Sequence, residues 1–236
     1  MITWIKLLLI IIYSTFCSVL ALLSGLLDRS FNTYFLVGKL FSNGVLFIAG
    51  VKLKITGLEN VDPSGTYVFV SNHSSQFDIP AVQKAVNVRI SIIYKKELNK
   101  VPLFGWQLMA GPYVVVDRRN PEKAISSIQK AKQLMDSKKV SVLIFAEGTR
   151  SVTGEIQPFK RGAFYLASKV GYPIIPVTIN GASSIMPKGK LTIKSGIMHV
   201  HFDKPIPTGN LKTRQDELNL METVRNKIME NYLGVI

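Results

Sequence analysis

The chain opens on an apolar block with no charged residue over positions 7–27, reading LLLIIIYSTFCSVLALLSGLL. As a helix this run is about 30 Å long, close to one hydrocarbon-core thickness. A second apolar stretch, residues 31–50, is interrupted by Asn32, Lys39 and Asn43. It reads as a return helix lying partly in the membrane interface. Past residue 50 the pattern changes. Short β-branched runs alternate with stretches at helical spacing, the signature of an α/β sheet. Residues 51–57 alternate apolar and polar (Val51, Leu53, Ile55), as a half-exposed strand does. Further strands are predicted at 67–70, 90–94, 113–116, 140–145, 173–179 and 196–202. Helices are predicted at 80–86, with Asp78 as the cap, at 102–110, and at 121–137, opened by Pro121. Two more follow, at 161–170, stopped by Gly171, and at 211–232, with an apolar stripe of Leu218, Met221, Val224, Ile228 and Tyr232. The expected fold is α/β, a mixed, largely parallel sheet flanked by helices and preceded by an N-terminal apolar helical anchor. Residues 1–50 form the membrane-anchoring helices in this reading, and residues 51–236 the α/β domain.

Charge bears on the partner. The net charge is +14, and only three of the 29 basic residues (Lys6, Arg29, Lys39) lie in the first 50 positions. The surplus therefore belongs to the α/β portion and favours a polyanion, an anionic membrane or a phosphorylated substrate. Cys17 is the single cysteine, which excludes an intrachain disulfide and a cysteine-rich zinc site. The apolar run has one lysine before it and no clean small-x-small cleavage site, so a retained anchor fits better than a signal peptide.

Four predicted strands end in polar or charged clusters: Asn72-His73, Lys95-Lys96, Asp117-Arg118 and Glu147 to Arg150. Parallel strands place their carboxyl ends along one edge, where ligands of open α/β sheets bind. The sharpest string is Asn72-His73-Ser74-Ser75-Gln76-Phe77-Asp78. A histidine leaving a strand, with a carboxylate five positions on, allows a tight turn to bring the carboxylate to Nδ1–H and leave Nε2 as a base. Ser74 and Ser75 read as turn formers, since no G-x-S-x-G elbow surrounds them. The nucleophile must then come from the substrate, as a hydroxyl. In Glu147-Gly148-Thr149-Arg150-Ser151, glycine permits close backbone approach, and Thr149 and Arg150 can donate to a phosphate monoester. Lys160 and Arg161 add cations further on. His199 and His201 have x-His-x-His spacing but no clustered third ligand, so no metal is expected. No P-loop, no G-x-G-x-x-G and no basic aromatic stripe is present, so neither a nucleotide cofactor nor a nucleic acid is indicated.

Together these strings resemble the PlsC-type glycerolipid acyltransferases, the 1-acyl-glycerol-3-phosphate acyltransferase family. Asn72, His73 and Asp78 match its Asn-His-x4-Asp block, Gly111 to Arg118 its Gly-to-Asp-Arg block, and Glu147 to Ser151 its Glu-Gly-Thr-Arg-Ser block. Tyr172 to Val177 resembles its Pro-containing fourth block, and Lys95-Lys96-Glu97-Leu98 its Lys-x-Glu-Leu string. The resemblance covers about residues 67–180. It implies that His73 and Asp78 are the base and its orienting partner, and that residues 51–236 form a glycerolipid acyltransferase domain. Asn72, Lys95, Arg118, Glu147, Gly148, Thr149 and Arg150 would then hold lysophosphatidic acid. The acyl donor would be acyl-CoA or acyl-carrier protein, with no retained cofactor. Bacterial members are similar in size and anchor, which implies an inner-membrane location with the catalytic domain on the cytoplasmic face. Rival readings are another lysolipid or glycerol-3-phosphate as acceptor, or a thioesterase in which His73 activates water.

Overall fold

The computed structural model describes residues 2–116, 121–209 and 211–234. The apolar N-terminus forms two helices, α1 (Ile2–Leu27) and α2 (Asn32–Ala49). Their sharp connection is tied by Asp28, whose carboxylate accepts the Thr33 N–H at 2.8 Å and the Thr33 hydroxyl at 2.9 Å. The helices run antiparallel. The Tyr13 hydroxyl donates to Leu40 O at 2.9 Å, and Lys6 Nζ donates to Ala49 O at 2.7 Å. Helix α1 is long and apolar enough to cross a membrane, with mean hydropathy 2.4 over its most apolar window and only 22% of that window buried.

Seven strands follow: β1 (Val51–Thr56), β2 (Val68–Ser71), β3 (Ile90–Lys95), β4 (Val114–Val116), β5 (Ser141–Phe145), β6 (Ile174–Asn180) and β7 (Gly196–Phe202). Their order in the sheet is β1-β7-β6-β2-β5-β3-β4. The run β6-β2-β5-β3-β4 is parallel throughout, β1 pairs with β7 in parallel, and the β6–β7 pair is antiparallel. The mixed, largely parallel sheet is therefore present, and the inner strands are buried on both faces. Along β2, Val68 and Val70 join one core cluster and Phe69 joins the other. The same alternation separates Val142 from Leu143 in β5. A period of two with both faces covered produces the unbroken apolar runs seen in the sequence.

Helices α3 (Asp78–Ala85) and α4 (Phe104–Ala110) lie on the side of α1 and α2. Helices α5 (Pro121–Lys138), α6 (Gly162–Val170) and α8 (Arg214–Glu230) contribute to the opposite cluster, and a short α7 (Ala182–Ile185) follows β6. Helix α8 starts later than the periodicity suggests. A capping box sets its start, with Thr213 Oγ1 accepting the Asp216 N–H at 3.1 Å and Asp216 Oδ2 accepting the Thr213 N–H at 2.8 Å. Its buried stripe is also rotated from the one expected. Leu220, Val224 and Ile228 face the core at i, i+4 and i+8, and Leu218 is only half-buried. Glu217 can lie on the buried side because the Ser168 hydroxyl donates to it at 3.1 Å and Arg161 pairs with it at 3.6 Å.

The inner side of α2 shares the core cluster of the sheet through Tyr34, Val45, Leu46 and Ala49. Tyr34 is buried, and its hydroxyl donates to Gln107 O at 2.8 Å and also meets the Gln107 side chain. Tyr34→Phe removes the hydroxyl from the buried Gln107 side chain, while Gln107 O keeps the Gly111 N–H at 2.9 Å. It is expected to destabilise the protein by about 1–3 kcal/mol in denaturant melts, with little change in helix content by circular dichroism.

Candidate active site

Strand β2 has four consecutive buried residues and stops where Asn72 begins. The buried Asn72 side chain acts as an extra backbone rung: Nδ2 donates to Ile179 O at 2.8 Å, and Oδ1 accepts the Ile179 N–H at 2.8 Å. That pair anchors the strand end to β6 and launches His73 from a fixed point. Asp78 then folds back on the turn. Its Oδ2 accepts from His73 Nδ1 at 2.7 Å and from the Ser74 and Ser75 N–H groups, each at 2.8 Å. An oxygen that already accepts two backbone N–H groups faces Nδ1 as a third acceptor contact, so Nδ1 carries the hydrogen and the neutral ring keeps Nε2 as the acceptor. The cap expected of Asp78 is thereby corrected. Asp78 is the first residue of α3, not its N-cap, and its side chain caps the preceding turn rather than the helix ahead. The His73 ring stacks on Phe145 at the end of β5, with centroids 3.9 Å apart and planes 16° apart. Packing and one hydrogen bond therefore fix the imidazole, and its side chain keeps 15% exposure.

The second loop grips the first. Glu147 is buried, and its Oε1 accepts the His73 N–H at 2.7 Å while Oε2 accepts the Gln157 N–H at 3.1 Å. Ser151 N–H donates to His73 O at 2.8 Å, so both backbone polar groups of the histidine are held by residues of this loop. Gly148 adopts φ +70°, and a Cβ there would sit 3.0 Å from Lys160 Cδ. Glycine thus permits both the turn and the passage of Lys160 across it.

Lys188 was not singled out from the sequence. Its Nζ donates to Arg150 O at 2.8 Å and to Thr149 Oγ1 at 3.2 Å. It follows α7, beyond the carboxyl end of β6, which is parallel to β2. Counting β6 among the converging strand ends would have pointed to it.

The sequence-predicted residues sort by what they touch. His73, Asp78, Gly148, Thr149 and Arg150 lie at the carboxyl ends of the adjacent strands β2 and β5 and in the loops that follow. Lys95 ends β3, the next strand, is exposed and pairs with Glu97 at 3.3 Å. Asn72 and Glu147 hold backbone, with their polar atoms already engaged. Asp117 and Arg118 lie outside the described residues. His199 Nε2 and His201 Nδ1 both meet Thr56 Oγ1 at 2.8 Å, on the β1–β7 side of the sheet.

A family model described as Acyltransferase matches residues 52–180, more than half of the chain and the span that carries both loops. The chain belongs to the acyltransferase family. It is 29% identical over 220 residues to the 1-acyl-sn-glycerol-3-phosphate acyltransferase of Saccharomyces cerevisiae, covering 92% of this chain and 71% of that one. It is 31% identical over 185 residues to the human 1-acyl-sn-glycerol-3-phosphate acyltransferase alpha, covering 78% and 65%. For the chloroplastic Brassica napus relative BAT2 the identity is 36% over 182 residues, covering 76% and 51%. The chain thus spans between half and about seven-tenths of these relatives. The crystal structure of the lysophosphatidic acid acyltransferase PlsC from Thermotoga maritima superposes with a TM-score of 0.81 at 25% identity, over 97% of this chain and 94% of that one. The α/β fold of this acyltransferase and its N-terminal apolar helix are therefore those of a solved relative.

Within this candidate site, burial pushes the Glu147 carboxyl up to about 7, against the backbone N–H groups of His73 and Gln157, which favour its ionised form. The Asp78 carboxylate nearby adds to the upward shift. Between the ordinary value of 4.5 and about 7, the folded protein keeps a proton that the unfolded chain releases. Stability contributed by this group is therefore full below the ordinary value and is lost as pH rises through the folded one. Glu147→Gln is expected to flatten this part of the curve of Tm against pH. It should also lower Tm throughout, because an amide cannot accept both N–H groups equally well.

Proposed function

We propose that this acyltransferase moves an acyl chain from a thioester of coenzyme A or acyl-carrier protein to the free sn-2 hydroxyl of 1-acyl-glycerol-3-phosphate, making phosphatidic acid. The observation that carries the reading is a histidine aligned by a buried carboxylate with no protein nucleophile beside it. Among the described residues no serine, threonine or cysteine side chain is hydrogen-bonded to the His73 ring, whose partner is Asp78. Lys95 ends β3, and Arg150, Lys160 and Lys188 follow the carboxyl ends of β5 and β6, strands of the same parallel run as β2. The names of the relatives support lysophosphatidic acid as the acceptor.

In this mechanism His73 Nε2 takes the proton of the acceptor hydroxyl as its oxygen attacks the thioester carbonyl carbon. Asp78 holds the imidazole in the required tautomer and stabilises the imidazolium that forms. The tetrahedral intermediate collapses, the C–S bond breaks, and the imidazolium returns the proton to the departing thiolate. The ester and a free thiol are the products, and His73 is restored. The acceptor phosphate is a natural partner for Arg150, whose planar fork matches phosphate oxygens. Lys95, Thr149 and Gly148 complete this phosphate side, with Arg118 assigned to it from its place in the sequence. Lys188 braces the Arg150 loop, so it contributes charge and rigidity together. Asn72 and Glu147 support His73 rather than touch substrate. The exposed apolar length of α1 supports attachment to a bilayer, where the lysolipid resides. The catalytic domain then faces the compartment that supplies the thioester, the cytoplasm.

The deciding experiment follows thiol release from the thioester by the solubilised protein, with and without lysophosphatidic acid. Acceptor-dependent release that falls by at least about a thousandfold in His73→Ala is the expected result. Equal release without acceptor would make the protein a thioesterase, and release that needs a different lysolipid would reassign the acceptor. Arg150→Ala is expected to raise the acceptor KM with a smaller change in kcat, consistent with loss of a charged contact worth about 2–3 kcal/mol. Unchanged kinetics in that variant would remove Arg150 from the phosphate.

A further inference from the structure

Between Lys95 and the end of α4 the α/β domain turns an apolar face outward. Leu98, Val101, Trp106 and Met109 are 37%, 43%, 50% and 48% exposed, and Pro102 and Ala110 between and beside them are exposed as well. The residues that alternate with them point inward: Gly105, Gln107 and Leu108 are buried. The segment is thus mostly apolar on both its inward and its outward side. Its backbone is set firmly. Leu103 adopts φ 60° and ψ −57°, and a Cβ on Gly105 would lie 2.3 Å from Leu98 O. Only glycine allows so close an approach of α4 to the preceding turn, so the outward face is held in place by the fold.

We infer that this face seats in a lipid bilayer beside α1, giving the enzyme a membrane contact within its catalytic domain. The inference rests on the membrane attachment proposed above and extends it to a different element. Helix α4 packs against α1, and Leu98, Phe104 and Leu108 line one cavity together with Cys17 and Ala21 of α1. The outward faces of the two helices therefore adjoin along that seam and form one apolar surface. Its rim is cationic. Lys95 and Lys100 are exposed, and Glu97 is the one acidic residue of this segment, paired with Lys95. Lysines around an apolar face with a tryptophan suit an anionic phospholipid surface, with the ring at the depth of the headgroups. A second protein copy lacks this support, because the adjoining α1 surface already demands hydrocarbon along its whole length. The placement has a consequence for catalysis. The segment leaves the sheet directly at Lys95, so seating it brings the carboxyl edge that holds His73 to the level of lysolipid headgroups.

The chain has two tryptophans, Trp4 in α1 and Trp106 in α4, which makes the test direct. Full-length Trp4→Phe protein, reporting Trp106 alone, is reconstituted into phosphatidylglycerol vesicles with and without brominated acyl chains. Trp106→Phe protein, reporting Trp4, is measured in parallel. A loss of about half the Trp106 emission in the brominated vesicles, together with quenching of Trp4, is the expected result for residues at about 5–10 Å depth. Quenching of Trp4 with Trp106 unaffected would overturn the inference and leave the attachment by α1 standing. Quenching of neither would overturn the membrane reading itself. Trp106 emission that follows the protein-to-lipid ratio and ignores bromine would assign the face to a second copy of the chain and also overturn the inference.

Discussion

Asp78 Oδ2 accepts three hydrogen bonds from residues 73 to 75, and the remainder of the site is arranged around that oxygen. A carboxylate oxygen removed from water is tolerable when donors replace the water, and at Oδ2 two backbone N–H groups and an imidazole do so, whereas the buried Oδ1 has no hydrogen-bond partner among the described residues. The same bonds close the turn ahead of α3 and select the histidine tautomer. Geometry and electrostatics are therefore one constraint: a change that loosens the turn also releases the imidazole. Asn72 from below and Phe145 from the side restrict the remaining freedom, through the β6 backbone and through ring stacking.

A second buried carboxylate, Glu147, lies behind the first. It holds the histidine by its backbone, as Asp78 holds it by its ring. Burial is the main cost of charging Glu147, and the neighbouring Asp78 carboxylate adds to it, as the upward displacement of Glu147 reflects. Around these carboxyl groups stand cations at different strand ends: Lys95 at the end of β3, Arg150 and Lys160 after β5, Lys188 after β6. Inner carboxyl groups that fix His73, with outer positive charge facing solvent, suit the proposed substrate, which brings a hydroxyl on one atom and a phosphate on another.

The N-terminal helices are part of this arrangement. Tyr34 bonds to α4, Lys6 bonds to Ser195 beside β7 at 2.8 Å, and α2 contributes to the sheet's own core. With α1 and α2 joined so firmly to the sheet, the proposed membrane attachment through α1 would give the edge that carries His73 a fixed orientation to the bilayer. A flexible tether would leave that orientation to chance.

Much of this was readable along the chain because local patterns report local physics. Short apolar runs marked the inner strands, Gly171 ended α6, and His73 with Asp78 stood five residues apart, a distance one turn can close. The convergence of strand ends followed from parallel order, which alternating strands and helices already imply. Other features needed the tertiary structure. The side of α8 that is buried depended on Arg161 and Ser168, which satisfy Glu217 from another part of the chain. The roles of Asn72 and Glu147 depended on Ile179 and Gln157, distant or separately folded segments whose backbone groups take up their polar atoms. Lys188 reached the site across 38 positions of sequence. Sequence alone determined which residues could do the chemistry and which stretches must leave water; only the fold decided which polar groups remain free for a substrate, because hydrogen-bond partners are chosen by proximity in space.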